Sequence, residues 1–217
     1  MAELFSRRNA PRFNEVAIEL IDIAMSRGGV PLFSALSARI SNGDILWIRG
    51  DNGIGKTTLL GALAGLRRLD TGTIDWTSDK TPCEAGKIIA YQPHLSYAKP
   101  ALTAQEDLQF WAALHRAQLS SGDVLADVGL ETKKHVPTGK LSAGQKRRLA
   151  LAKLILSNKP VWLLDEPAAA MDSTGTALID SLLKHHINRG GAAIIASHGA
   201  ARSISANTRL LTLRATS

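Results

Sequence analysis

One cysteine, Cys83, in a chain of 217 residues leaves no intramolecular disulfide to hold the fold. No apolar run approaches the ~20 residues that cross a bilayer as a helix. Any membrane path therefore belongs to another polypeptide, and this chain could supply only energy to it. Aromatic residues make up only 5% of the chain, and the basic residues are scattered over Arg7-Arg8 with Arg12, Arg67-Arg68, Lys133-Lys134 and Lys146-Arg147-Arg148. Scarce aromatics and dispersed cations argue against specific nucleic-acid recognition. Nothing near the start combines a basic head, a long apolar stretch and a small-residue cleavage site, so the cytosol is the expected compartment. Repeats and low-complexity stretches are absent, and the 19 residues after His198 are expected to be too few for a regulatory domain. What remains is ordinary for a globular protein. A hydrophobic fraction of 45% suits one medium domain, or a core with one sizeable insertion. A formal charge of +7 favours anionic partners in general, namely nucleotide, acidic lipid or nucleic acid, and the expected reading is a solvated basic face near a membrane.

Residues 50 to 57 read Gly50-Asp51-Asn52-Gly53-Ile54-Gly55-Lys56-Thr57, followed by Thr58. This matches the G-x-x-x-x-G-K-[ST] phosphate loop, whose backbone N–H groups wrap phosphates while the lysine reaches the β/γ oxygens and the hydroxyl ligates Mg²⁺. Its flanks fit. Ile45–Arg49 is a short apolar run suited to a buried strand, and Thr58 to Ala64 carries helix-compatible apolar spacing. A helix N-terminus beneath such a loop adds free N–H groups and partial positive charge to anion binding.

Elsewhere, Val16 to Ile23 alternates imperfectly and Leu36 to Ile40 runs into Asn42-Gly43-Asp44, a two-strand signal with a turn. Asp70 to Thr73 turns into Ile74-Asp75-Trp76, and Lys87 to Tyr91 reads as another strand. From Leu102 to about Leu130 the period becomes helical, with Leu108, Trp111, Ala112 and Leu114 on one face and Val124, Leu125 and Val128 on a second helix. A third helix, Ser142 to Leu156, carries Leu149, Ala152, Leu154 and Ile155 and is broken by Pro160. Strands at Val161 to Leu164 and Ala192 to Ala196 follow. The first dozen residues are expected to be loosely ordered, and His185-His186 is expected on a helix surface, not as a ligand pair.

Asp165 ends an apolar strand, where its carboxylate can hold Mg²⁺ beside the phosphate loop. Glu166 can then orient and polarise the attacking water, since in-line attack on a γ-phosphate is limited by positioning and charge stabilisation. His198 follows the last core strand, placed to bond the γ-phosphate.

With Leu141-Ser142-Ala143-Gly144-Gln145 standing 23 residues, counted from Ser142, before Asp165, the chain resembles the ATP-binding cassette (ABC) ATPases from about Val16 to Leu213. The resemblance implies an α/β fold, a P-loop core with an N-terminal antiparallel β region and a helical insertion. It implies one nucleotide-binding domain over 1–217, with core at about 13–93 and 157–217 and a helical signature subdomain at about 94–156. It further implies that the amides of Ser142 and Gly144, with Gln145 beside them, cap the γ-phosphate of ATP bound to a second copy of the chain in a head-to-tail dimer. The sequence departs from the family in four places. Ala143 replaces a glycine, keeping its N–H if its backbone is ordinary. Arg27 stands where an aromatic usually stacks on adenine; a guanidinium can also stack there. Ala169-Ala170-Met171-Asp172 replaces a loop ending in Leu-Asp, with Asp172 keeping the carboxylate that communicates across the dimer. The glutamine expected near Mg²⁺ is either Gln92 or, counting eight residues back from Leu102, His94, which the count favours.

Tyr91-Gln92-Pro93-His94, Leu102 to Trp111 and Leu141 to Ala152 are similar to the cytochrome c maturation (haem exporter) branch of that family. That likeness implies two copies on the cytoplasmic face of a bacterial inner membrane, held peripherally by a polytopic, CcmB-like membrane subunit. The alternatives are another ABC transporter with a different partner, a soluble ABC ATPase for metal-cluster or nucleic-acid work, and a non-hydrolysing binding module.

Overall fold

The structure is a computed structural model, and it describes residues 11–94, 98–199 and 202–214. The expectation of loose order over the first dozen residues falls, for positions 1–10, outside the described residues.

The described residues make two sheets. The first is antiparallel, in the order β2-β1-β4-β5, from β1 (Val16–Arg27), β2 (Val30–Ser41), β4 (Thr71–Ser78) and β5 (Thr81–Pro82). Both hairpin strands are longer than the sequence pattern suggests, because the phase of β1 changes partway. Val16, Ile18 and Leu20 are buried, and after a register shift Ile23 and Met25 are buried instead. Asp22, at φ 46°, takes up the extra residue, and its N–H and carboxylate both bond the Ser37 hydroxyl. Such a bulge restores inward alternation after one surplus residue, which is why the alternation reads as imperfect. Gly28-Gly29, at φ 59° and 80°, closes the hairpin, as a tight two-residue turn requires.

The second sheet is parallel, in the order β6-β7-β8-β3-β9, from β3 (Ile45–Arg49), β6 (Ile89–Gln92), β7 (Val161–Asp165), β8 (Ala192–Ala196) and β9 (Thr208–Thr212). β7 and β8 are buried throughout and β3 in all but its last residue, the continuous apolar run expected where both faces of a parallel sheet are covered. Helix α1 (Lys56–Leu63) buries Leu59, Leu60, Ala62 and Leu63. At the expected strand Lys87 to Tyr91, the structure instead has a short helix, α2 (Ala85–Ile88), and only then β6. Lys87 N–H closes a turn onto the Glu84 carbonyl, which delays the strand by two residues.

The contacts divide the chain into two compact units. One comprises Pro11–Pro93, Lys159–Glu166 and His186–Ser217, and holds both sheets. In it His186 corrects the surface expectation. It is 1% exposed, its ring stacks 4.0 Å from Trp162, and Nε2 lies 3.0 Å from the Pro160 carbonyl. This burial is not visible in the helical period, because the stacking partner Trp162 lies 24 residues away in sequence.

The other unit comprises His94–Asn158 and Pro167–His185. Helices α3 (Ala104–Leu114), α4 (Ser121–Asp127) and α5 (Ala143–Ser157) pack on one another. Ala104, Asp107 and Leu108 form the buried stripe of α3, whereas Leu114 is 61% exposed. Six residues beyond Leu108, Leu114 lies well off a stripe that recurs every three or four. Asp107, also in that stripe, is neutralised by Lys153 of α5 at 2.6 Å. α5 stops at Asn158, whose left-handed backbone (φ 46°) caps it two residues ahead of Pro160. Helix α6 (Ser173–Asn188) follows.

Candidate functional site

In the sheet-containing unit, the carboxyl ends of four adjacent parallel strands bring together most of the expected residues. In spatial order they carry Gln92 (β6), Asp165 and Glu166 (β7), Ser197 and His198 (β8) and the loop from Gly50 (β3). Ligands of open parallel sheets sit at such strand ends.

The loop itself is shaped by its walls. A Cβ on Gly50 (φ 148°) would stand 2.9 Å from Ile54 Cγ2 and from the Leu213 carbonyl, and one on Gly55 (φ 107°) 3.1 Å from Leu32. Both positions need glycine before any phosphate is considered. Gly55 is the N-cap of α1 and offers no side-chain cap, so the first N–H groups of that helix stay available to an anion. Lys56 is 7% exposed, and its Nζ donates to the Gly50 and Asp51 carbonyls at 2.7 and 3.0 Å. An ammonium has three donors, so one is left for a phosphate oxygen. Asn52 and Gly53 are exposed at the loop's outer bend, Ile54 is half-buried, and Thr58 follows in α1.

Thr57 Oγ1 donates to Asp165 Oδ2 at 2.8 Å, and Asp165 is 2% exposed. Two hard oxygen donors in hydrogen-bond contact suit Mg²⁺. Gln92 is 2% exposed, and neither its amide nitrogen nor its oxygen has a hydrogen-bond partner among the described residues. A buried amide without partners is costly, and a metal with its water would satisfy it. His94, by contrast, is exposed and belongs to the helical unit.

Glu166 has a left-handed backbone (φ 49°), and its N–H bonds the Ala196 carbonyl of β8 at 2.9 Å. The carboxylate is thereby turned towards the loop after β8. Its Oε1 accepts from His198 N–H at 3.0 Å and lies 3.3 Å from His198 Nε2, while Oε2 is 3.4 Å from the Ser197 hydroxyl. Sequence reasoning found Glu166 and His198 but missed Ser197, which only strand register reveals. Arg27 stands exposed at the tip of the β1–β2 hairpin.

In the helical unit, Ser142 caps α5. Its Oγ accepts from Gln145 N–H at 3.2 Å, and Gln145 Oε1 accepts from Ser142 N–H at 3.0 Å. This reciprocal capping box commits the Gln145 oxygen within the chain and leaves the Ser142 hydroxyl proton free to donate. Ala143 is helical and absent from the left-handed positions, so its N–H points along the helix as required. Ser142, Gly144, Arg148, Met171 and Asp172 line a pocket of about 420 Å³. Asp172 Oδ1 accepts from Gly175 N–H at 2.7 Å and the Thr174 hydroxyl at 2.8 Å. These bonds hold its carboxyl below the ordinary range, the Gly175 amide contributing most.

A match to the ABC transporter family spans residues 33–169. The chain belongs to that family. It is a member of its ATPase class, and ATP is what it binds and hydrolyses. It is 43% identical over 196 residues to the cytochrome c biogenesis ATP-binding export protein CcmA of Xanthomonas axonopodis pv. citri, covering 88% of this chain and 91% of that one. It is 43% identical over 177 residues to the protein of the same name from Paracoccus denitrificans (82% and 80% covered). With that of Haemophilus influenzae it shares 40% over 192 residues (86% and 91%). Among solved structures, an ABC transporter ATP-binding protein from Pyrococcus furiosus superposes with a TM-score of 0.76 at 25% identity, over 90% of this chain and 97% of that one. The ATP-binding cassette MJ0796, a post-hydrolysis dimer bound to ADP and Pi, gives 0.77 at 22% identity over 91% and 94%, a likeness of fold alone. Among the described residues no helix is long and apolar enough to cross a membrane.

Proposed function

We propose that this ABC ATPase is the energy-supplying subunit of a membrane complex for cytochrome c maturation, exporting haem or releasing a haem chaperone. The strongest support is the 43% identity over most of the chain to the cytochrome c biogenesis ATP-binding export protein of Xanthomonas. The chemistry follows from the strand-end cluster. Lys56 neutralises the β/γ oxygens of ATP, and the amides of residues 50–58 cradle its phosphates. Thr57, Asp165 and Gln92 would hold Mg²⁺, which supplies positive charge against the phosphate oxygens when bound. In this reading Gln92, rather than His94, takes the metal-side place, because its buried amide has no partner among the described residues. Glu166 orients and polarises the attacking water, and His198 donates to the γ-phosphate. Arg27 stacks on the adenine. Ser142, Gly144 and Gln145 of a second copy close the site, so that ATP binding favours a closed dimer and hydrolysis reopens it. Coupling to a CcmB-like polytopic subunit on the cytoplasmic face of the inner membrane follows from the difference in nucleotide affinity between the two states.

The test is purification of the tagged chain from detergent-solubilised membranes of its native host, with mass-spectrometric identification of what accompanies it. Recovery of a polytopic subunit together with cytochrome c maturation proteins is the expected result. An unrelated permease would replace the pathway and leave the ATPase chemistry standing, while soluble partners alone would remove the transport reading.

A further inference from the structure

Arg49 is the last residue of β3, and its backbone is committed to the sheet. Its carbonyl accepts from Leu213 N–H at 2.8 Å, and it pairs with Thr212 of β9. The side chain turns to the opposite neighbour of β3. Nε and Nη2 donate to the Gly199 carbonyl at 3.2 and 3.0 Å. The planar guanidinium presents these donors in a fixed fork, so the carbonyl is held in direction as well as distance. Among the described residues Arg49 has no carboxylate partner, and a surface arginine gripping a neutral carbonyl is poorly explained as an ion pair.

The consequence lies one residue away. Gly199 directly follows His198, and on the other side of His198, Ser197 N–H donates to the Ile48 carbonyl at 3.2 Å. Gly199 N–H returns to the Ser197 hydroxyl at 3.1 Å, closing the turn. His198 is thus fastened on both flanks to two consecutive residues, Ile48 and Arg49, of the strand that runs without interruption into the phosphate loop at Gly50. A displacement of the loop from that strand would carry the imidazole away from the phosphates by a similar amount.

We propose that Arg49 is a positioning residue that sets His198 against the phosphate loop for hydrolysis. This rests on the reading of His198 as the γ-phosphate contact. Arg49 acts here through Gly199, whose carbonyl accepts from its Nε and Nη2. Because loss of position at a reacting centre is costly in rate, Arg49→Met, which keeps the aliphatic stem and removes the donors, should lower kcat about tenfold. KM for ATP should change by less than about twofold, since the phosphate loop is intact. Arg49→Lys, able to offer one N–H to the same carbonyl, should recover part of the loss.

The experiment measures ATPase kinetics of the full chain, purified with its membrane partner, as parent, Arg49→Met, Arg49→Lys, His198→Ala and the Arg49→Met/His198→Ala double variant. If Arg49 acts through His198, the Arg49 substitution has no further effect once His198 is gone. Equal losses from Arg49→Met in both backgrounds, or an unchanged kcat in the His198-containing protein, would overturn the proposal while leaving His198 in place. Full turnover by His198→Ala would overturn the reading of His198 and Arg49's role with it. If Arg49→Met does not fold, Arg49→Lys in the two backgrounds decides by the same criterion.

Discussion

The sheet-built unit and the helical unit build their candidate anion sites in different ways. In the first, the charged and polar groups stand at the ends of adjacent parallel strands, with Asp165 and Gln92 withdrawn from water at 2% exposed each and His198 left open to it. Their geometry depends on pairings between residues more than a hundred positions apart, such as Thr57 with Asp165. In the second, Ser142 and Ala143 are exposed at the start of α5, and the end of that helix is organised by a bond between residues three apart. The first arrangement is preorganised by tertiary structure and costs little to use. The second is a local device, complete in its own folding but waiting on something outside it for a function.

Three substitutions and one titration would break or sharpen this contrast. Glu166→Gln should lower turnover about 10²–10⁴-fold, the range for loss of a positioned base, while ATP binding and an ATP-stabilised dimer persist. Normal turnover in a phosphate-release assay would remove Glu166 from the mechanism. Lys56→Ala should cost about 2–5 kcal/mol of ATP affinity, the usual effect of removing one partner from a largely buried charge pair. An unchanged isotherm in a calorimetric titration would sink that role. In the helical unit, Ser142→Ala should cost only about 1 kcal/mol of stability, read as a denaturant midpoint, and leave nucleotide affinity of the lone chain intact. A large loss of ATP affinity there would contradict the division of labour.

The smallest effect is on pH. The Thr103 amide, then its hydroxyl, holds the Glu106 carboxyl of the α3 capping box below its ordinary value of 4.5. A carboxyl lowered in the folded state adds stability above its unfolded pKa and loses it as pH falls through the folded one. Asp172 shifts in the same direction. Denaturant midpoints should therefore decline below about pH 4.5, and less so in a Thr103→Ala, Glu106→Gln protein. The same acid slope in both proteins would show that these caps are not its source.

Much of this was legible from the chain because the rules involved are local. The phosphate loop, the strand before it, the Asp165-Glu166 strand end and the helix from Ser142 each rest on residues a few positions apart. The failures were equally physical. The burial of His186 against Trp162 depends on a partner 24 residues away, and the exposure of Leu114 depends on which stripe of α3 meets α5. Between Gln92 and His94, counting from Leu102 favours His94, while the pairing of Gln92 with Leu164 in the sheet supports the proposal of Gln92. The bulge at Asp22 is invisible to a two-residue period until Ser37 is seen holding it.

The left-handed backbone of Glu166 sets two costs against each other at one position. Glycine there would relieve roughly 1 kcal/mol of conformational cost, but it would also strip the loop after β8 of the acceptor that holds His198 N–H and the Ser197 hydroxyl. The glutamate thus meets its strained backbone with bonds that glycine could not make.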